Sequence, residues 1–202
     1  MNISKRITIF LLVCFISLPC IAHRHSGAYA DILENTSDYT DAEKLSRAVE
    51  YFQSGKYHEA LIWFSKLDKK YKLNPRFQAY MGVCCYYDGE YKRAIEALEP
   101  ILPELKAFAP HELAVYYYSV ADSYFRLNKY IDAVPFYEKH TLLCYNNEKG
   151  DSLFRIGICY RCLGDIEIAQ EYFVEALAYF RRYNDTDRLK YIERELERST
   201  DN

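Results

Sequence analysis

A six-residue phrase recurs four times along this chain and constrains its fold more than any other feature. Each copy has a small or turn-forming residue, a spacer, a bulky apolar residue, two spacers and an alanine, and the copies begin at Gly55, Gly89, Asn128 and Gly164. Successive copies are therefore 34, 39 and 36 residues apart (89−55, 128−89 and 164−128). A period of this size is typical of stacked helical hairpins, each of which buries its apolar face on the next. The spacing thus predicts an all-α solenoid instead of a globular domain with one central core.

Residues that start and stop helices flank each copy of the phrase. Thr40 and Glu43 form a capping box, in which each side chain accepts a backbone N–H at the helix start. Asn74 followed by Pro75 is a second start signal, because asparagine caps helices and proline suits the first helical position. The glycine or asparagine that opens each phrase ends the preceding helix in the left-handed conformation. The predicted helices span about 41–54, 57–71, 75–88, 91–99, 110–127, 130–144, 148–163, 166–182 and from 186 onward.

The N-terminal residues have the pattern of a secretory signal peptide. Lys5 and Arg6 precede a mainly apolar stretch that ends in small residues near Ala22. We predict an export signal at residues 1–22, cleaved after Ala22 or, alternatively, after Ala30, and an exported, periplasmic or envelope-associated location. An uncleaved membrane anchor and a lipid attached to Cys20 are the alternatives. Residues 23–40 are predicted to be a flexible leader, 41–182 the four hairpins, and 183–202 an amphipathic capping helix and tail.

Composition and isolated motifs argue against several functional classes. The net charge of −3 and the pI of about 6.0 give no basic excess for nucleic acid. Cys159 and Cys162 have the spacing of a thiol–disulfide couple, but they lie near a predicted helix C-terminus, where the helix dipole disfavours a thiolate. We interpret them as small packing residues, with a redox or metal-binding protein as the minor alternative. No histidine shows a metal-ligand spacing, so we predict no catalytic residue, no cofactor and no metal site.

The four repeats resemble the tetratricopeptide repeat. The resemblance is clearest in the fourth repeat, where Leu153, Ile156-Gly157, Tyr160, Ala169 and Phe173 follow the family pattern of a large residue, a Leu-Gly-type pair, a tyrosine, an alanine and an aromatic residue. Small residues stand at the matching positions of all repeats: Ala48, Gly82, Ala121 and Gly157 on the first helices, and Ala60, Ala94, Ala133 and Ala169 on the second. The resemblance implies a right-handed α-solenoid of about four hairpins plus a C-terminal capping helix.

The resemblance also implies a binding site. In this family the first helices of the hairpins line a concave groove that binds extended or helical segments of partner proteins. Carried over repeat by repeat, the groove comprises Leu45, Val49, Phe52, Val83, Tyr86, Tyr87, Tyr118, Asp122, Phe125, Arg126, Phe154, Ile158 and Arg161. Its second half also has Arg155, so a ligand with apolar anchors at one end and an acidic group at the other is expected.

Two other interpretations of this face remain open besides a docking groove. The aromatic residues can instead pack neighbouring helices while the arginines pair with local carboxylates, or residues 23–39 can fold back into the groove.

The chain is predicted to be a non-catalytic protein–protein interaction module, that is, an adaptor, scaffold or assembly factor. Its predicted partner is a protein or peptide segment and not nucleic acid. A membrane-anchored sensory or regulatory ectodomain is the alternative, with membrane contact only if the signal segment is retained.

Overall fold

A computed structural model describes residues 39–200, with side chains as far as Glu197. The described residues form nine α-helices and no strand. The helices are α1 (Asp41–Gln53), α2 (Tyr57–Tyr71), α3 (Pro75–Tyr87), α4 (Tyr91–Leu98), α5 (Pro110–Arg126), α6 (Tyr130–Leu143), α7 (Asn146–Leu163), α8 (Ile166–Arg182) and α9 (Thr186–Thr200). Every helix begins and ends within about two residues of the predicted bounds, and the predicted all-α architecture is confirmed. The predicted signal peptide and almost all of the predicted leader lie outside the described residues.

The predicted helix signals act as expected in the structure. The Thr40 N–H donates to Glu43 Oε2 at 2.7 Å, and the Glu43 N–H donates to Thr40 Oγ1 at 3.3 Å. Asn74 Oδ1 accepts the Phe77 N–H at 3.2 Å, with Pro75 at the first helical position. Asn128 adopts φ +59°, which ends α5 in the left-handed conformation without a glycine. The α7 helix starts two residues earlier than predicted, because the Tyr145 N–H donates to the Glu148 carboxylate and caps an extra turn.

The described residues from Arg47 onward make one compact unit. From α2 to α9 each helix packs on the next one in sequence, and α3 also packs on α5. The described residues before this unit, 39–46, contain the capping box and the first turns of α1. None of the helices that the structure describes has the length and hydrophobicity needed to cross a membrane.

The small residues of the repeats permit close helix approach. A Cβ atom added at Gly82 would lie 2.4 Å from Leu98 Cγ, and one added at Gly157 would lie 2.5 Å from Phe173 Cε1. Both distances are too short for any side chain. The position of Leu98 and Phe173 is occupied by Phe64 and Tyr137 in the other two repeats, and all four side chains are fully buried. Each hairpin therefore has a large residue on its second helix, and in the second and fourth repeats this residue fills the space above a glycine of the first.

The longer, 39-residue spacing between the second and third copies of the phrase accommodates a 3₁₀ helix over Glu99–Leu105. Pro100 and Pro103 favour this short, tighter segment over a continuation of α4. Leu102 and Leu105 are buried in the same core as Leu98 and Leu113. The proline-bearing link is therefore part of the hydrophobic core between the second and third repeats.

The last helix, α9, covers the end of the stack. Ile192 is fully buried in a core that it shares with Phe173, Ala176 and Phe180. Leu189 and Leu196 pack against the same core, while most other side chains of α9 are exposed. This distribution of one apolar stripe and a charged outer face is expected for a helix that caps an open array.

Candidate functional site

The first helices α3, α5 and α7 bring several of the predicted groove residues together. We call the surface formed by Tyr86, Tyr118, Phe125, Arg126 and Arg155 the central face. The rings of Tyr86 and Tyr118 meet edge to face with centroids 6.4 Å apart, and the Arg155 guanidinium lies 4.7 Å above the ring of Phe125. Three successive repeats thus contribute to a continuous aromatic and cationic surface.

Asp122 lies beneath this surface as a shared acceptor. Its side chain is 1% exposed, so it supports the central face from inside. Asp122 Oδ2 accepts the hydroxyl of Tyr86 and the Nε–H of Arg126, both at 3.1 Å, and Oδ1 accepts the hydroxyl of Tyr137 at 2.8 Å. Arg155 Nε lies 3.8 Å from Oδ1. One carboxylate therefore links helices α3, α5, α6 and α7.

The tyrosine hydroxyl groups around Asp122 remain protonated and can act as hydrogen-bond donors. Burial is the main cause that raises the pKa of Tyr137 and of Tyr86, and the nearby Asp122 carboxylate raises both further. Burial also raises the pKa of Tyr118 to about 12, with Asp122 as the next contribution. These hydroxyls stay protonated across the physiological range, so the hydrogen bonds to Asp122 persist.

Several predicted groove residues have other surroundings. Val83 is 1% exposed in the core beside Leu98, so its side chain is not available to a partner. Arg161 pairs with Glu195 of α9. The Phe154 ring contacts that of Tyr191 of α9 with centroids 5.5 Å apart. Ile158 packs on the core that contains Ile192 of α9. The C-terminal part of the predicted groove thus lies against the capping helix.

The N-terminal part of the predicted groove is mainly aromatic packing. Leu45 and Val49 are half-buried positions of α1. Phe52 stacks on Tyr80 with centroids 4.3 Å apart, and Tyr87 stacks on Tyr57 at 4.1 Å. Tyr87 nevertheless keeps 55% of its surface exposed, which leaves it accessible beside the central face.

A pocket of about 340 Å³ opens next to Tyr118, and we call it the α5 pocket. Its wall on α5 is the stripe His111, Ala114, Val115, Tyr118 and Ser119. The remaining wall comprises Tyr87, His140, Tyr145, Glu148 and Asp151. Only Tyr87 and Tyr118 of this set were predicted. The stripe continues the predicted face of α5 towards its N-terminus at helical spacing, so periodicity could have identified Val115 and His111.

Polar groups occupy the far wall of the α5 pocket. The His140 Nδ1 and the Ser152 Oγ are 2.7 Å apart and hydrogen bonded. Burial lowers the pKa of His140 to about 4, so the imidazole is neutral at physiological pH. Asp151 pairs with Arg188 of α9 at 2.9 Å, and burial raises its pKa. A potential metal-ligand set, His140, Cys144 and Glu148, converges on this wall although the sequence analysis predicted no metal site.

Cys159 and Cys162 of the CxxC pair differ in their surroundings. The five cysteines of the described residues are all unpaired thiols. Cys159 is fully buried in the last third of α7, while Cys162 is exposed one residue before the helix ends. Burial raises the pKa of Cys159 to about 12, which suits a packing residue and not an attacking thiolate.

Comparison with known proteins agrees with this architecture. Residues 150–182 match the family model described as tetratricopeptide repeat, and they cover most of α7 and all of α8. No curated protein was found to match the chain. The predicted resemblance to the tetratricopeptide repeat is confirmed by the family match and by the fold.

Solved structures of the protein MamA share the fold. A mutant form of MamA has a TM-score of 0.62 and 18% identity over 80% of this chain and 85% of that chain. MamA of AMB-1 has a TM-score of 0.59 and 17% identity, with 80% of this chain and 90% of that chain covered. MamA of MSR-1 has a TM-score of 0.56 and 15% identity, with 80% of this chain and 97% of that chain covered. At such identities the likeness concerns the fold alone.

Proposed function

We propose that this chain is a non-catalytic protein–protein interaction module of an exported compartment, which docks a segment of a partner protein on the central face. Tetratricopeptide repeats generally serve protein recognition, and the fold of this chain supports that class of function. The observation that carries the finer proposal is the α5 pocket, which adjoins exposed aromatic and aliphatic side chains on a preformed helical stack. Because the stack is already ordered, docking costs it little conformational entropy.

The pocket favours an apolar anchor on the partner. Val115 is 44% exposed and Tyr87 is 55% exposed. Both side chains therefore keep apolar surface in contact with water, which a partner would cover. A volume of about 340 Å³ is at the small end of ligand pockets and suits one or two side chains. Burying one such side chain contributes roughly 1.5–3 kcal/mol, which corresponds to about 10- to 150-fold in affinity.

The acidic end expected for the ligand has weaker support. Arg126 and Arg155 both face Asp122, and Arg161 pairs with Glu195. An acidic partner group would therefore compete with carboxylates that the fold already supplies. The apolar anchor, and not a charge pair, is the basis of this proposal.

A matched pair of substitutions tests the docking site. Val115→Glu places a charge in the α5 pocket, while Val174→Glu places the same charge at a 58%-exposed valine of α8 outside the pocket. Peptides selected from a random library on the wild-type chain should bind Val115→Glu at least about 10-fold more weakly and bind Val174→Glu unchanged. Equal binding by both variants would exclude the α5 pocket as the anchor site.

The exported location rests on the N-terminal sequence pattern. Cell fractionation with N-terminal sequencing should give a soluble envelope fraction that begins at His23 or Asp31. A chain that keeps residues 1–22 and sediments with membranes would instead favour the anchored sensory or regulatory ectodomain.

A further inference from the structure

Three side chains with different donor atoms meet where α6 passes into α7. His140 lies in the last turn of α6, Cys144 in the two-residue connection, and Glu148 in the first turn of α7. One ligand atom from each residue, a ring nitrogen, the sulfur and a carboxylate oxygen, lies within 4.8 Å of the other two. We propose that His140, Cys144 and Glu148 bind a divalent metal ion of the zinc class, with a fourth coordination position open to the α5 pocket.

The spacing of the donor atoms suits a tetrahedral ion. Bonds of about 2.0–2.3 Å from Zn²⁺ to nitrogen, oxygen and sulfur place the ligand atoms of a tetrahedron roughly 3.5 Å apart. The observed upper limit of 4.8 Å then requires a contraction of about 1.3 Å at most. Glu148 is exposed, so its side chain can make its share of this movement without disturbing the core.

Hydrogen bonds to other residues of the chain already orient two of the three proposed ligands. The hydrogen bond between His140 Nδ1 and Ser152 Oγ fixes the imidazole plane, and coordination through Nε2 leaves that bond intact. Glu148 Oε2 accepts the Tyr145 N–H at 3.2 Å, and coordination through Oε1 leaves the helix cap intact. Such outer contacts are a regular feature of metal sites, because they fix the tautomer and direction of the ligand.

The charges of the site also favour a divalent cation. A neutral imidazole offers a ring-nitrogen lone pair for coordination, as histidine does in most metal sites. Binding of a dication would release the Cys144 proton to solvent, and the resulting thiolate and carboxylate would together balance the two positive charges.

The donor set selects the class of metal. Thiolate and imidazole are ligands for Zn²⁺ and similar transition ions, whereas Mg²⁺ and Ca²⁺ require oxygen ligands. Three protein ligands with an open fourth position leave room for water or for a donor that enters the α5 pocket. The site stands apart from the proposed docking function, since metal binding requires no partner protein.

Cobalt provides a direct probe of the thiol ligand. We expect the purified full chain to bind one equivalent of Co²⁺ with the visible bands of tetrahedral geometry and a thiolate-to-cobalt charge-transfer band, and Zn²⁺ to displace it. Cys144→Ser should abolish the charge-transfer band. Cys162→Ser is the matched control, because Cys162 is an exposed thiol of the described residues and lies outside the cluster. It should leave the spectrum unchanged.

Further variants test the other ligands by Zn²⁺ competition. Glu148→Gln can keep the cap bond to Tyr145, and His140→Asn can keep a polar contact to Ser152, so each removes mainly the metal ligand. Both should weaken Zn²⁺ binding by more than the roughly 10-fold expected for Ser152→Ala, which removes only an outer contact. Circular dichroism should show each variant to be folded, and Glu148→Gln remains informative if a buried substitution unfolds the chain.

Four results would overturn the proposal, the first three of which concern the wild-type chain and the ligand variants. These are the absence of a charge-transfer band in the wild-type chain, its persistence in Cys144→Ser, and unchanged Zn²⁺ affinity in Glu148→Gln. Loss of the band in Cys162→Ser would assign the metal to the exposed thiol and would likewise overturn it.

Discussion

Replacing Asp122 by asparagine should destabilise the chain far more than a change of one atom suggests. The carboxylate receives hydrogen bonds from Tyr86, Tyr137 and Arg126, and it is 1% exposed. An asparagine keeps one oxygen acceptor but brings two N–H donors into a site whose neighbours are already donors. At least one polar group is therefore left without a partner in a buried place.

The magnitude follows from these contacts. Two phenol bonds that change from a charged to a neutral acceptor lose about 1 kcal/mol each, and an unsatisfied buried donor costs roughly 1–3 kcal/mol. The guanidinium groups contribute little more, since Arg126 has 48% and Arg155 28% of its side chain exposed and water replaces part of the interaction. The expected loss is about 3–5 kcal/mol, or a fall in Tm of roughly 6–20 °C for a chain of this size.

Urea and thermal unfolding followed by circular dichroism measure this loss. Asp165→Asn is the matched control, because Asp165 is exposed and its side chain makes no cap bond to α8. It should change the free energy of unfolding by less than about 0.5 kcal/mol. In a double-mutant cycle, Asp122→Asn and Tyr137→Phe should couple by about 1–2 kcal/mol. A Tm of Asp122→Asn within 2 °C of wild type, or strictly additive single effects, would refute the role of Asp122 as a shared acceptor.

Two further predictions concern helix packing and thiol reactivity. Gly157→Ala should destabilise the chain by about 1–3 kcal/mol in urea unfolding, because its Cβ would lie 2.5 Å from Phe173 Cε1, and Phe173→Leu should recover part of the loss; equal destabilisation of the double variant would contradict this contact. In native protein at pH 8, iodoacetamide should label Cys162 first and leave Cys159 unmodified, since burial raises the pKa of Cys159 to about 12 and removes its thiolate at this pH. Mass spectrometry of the peptides measures both sites, and rapid labelling of Cys159 would restore the thiol-couple hypothesis.

The sequence predicts the helices well because their end signals are local. A capping box at Thr40, an asparagine cap at Asn74 and a left-handed Asn128 each act within four residues, so they can be identified without knowledge of the fold. The 3₁₀ helix illustrates the limit of this reasoning. Its prolines indicate a break after α4, but the burial of Leu102 depends on the packing of neighbouring repeats.

The candidate site is harder to predict because burial depends on distant partners. Asp122 has a visible counter-charge at Arg126, one helical turn away, which suggests a surface ion pair. Its burial results from Tyr86, 36 residues before it, and from Tyr137, 15 residues after it. Neither residue is marked by the repeat as a partner of Asp122, so the sequence pattern alone places this carboxylate in the groove instead of beneath it.

The capping helix explains why the accessible face is shorter than the array. In the first helix of the last repeat, Phe154 contacts Tyr191, Arg161 pairs with Glu195, and Asp151 pairs with Arg188. All three partners belong to α9, so this helix occupies the place that a fifth repeat would take. In the docking mode proposed above, a partner segment would therefore meet open surface mainly at α3 and α5, beside the α5 pocket. The same helix that covers the apolar end of the stack thus limits the proposed docking surface to the helices before α7.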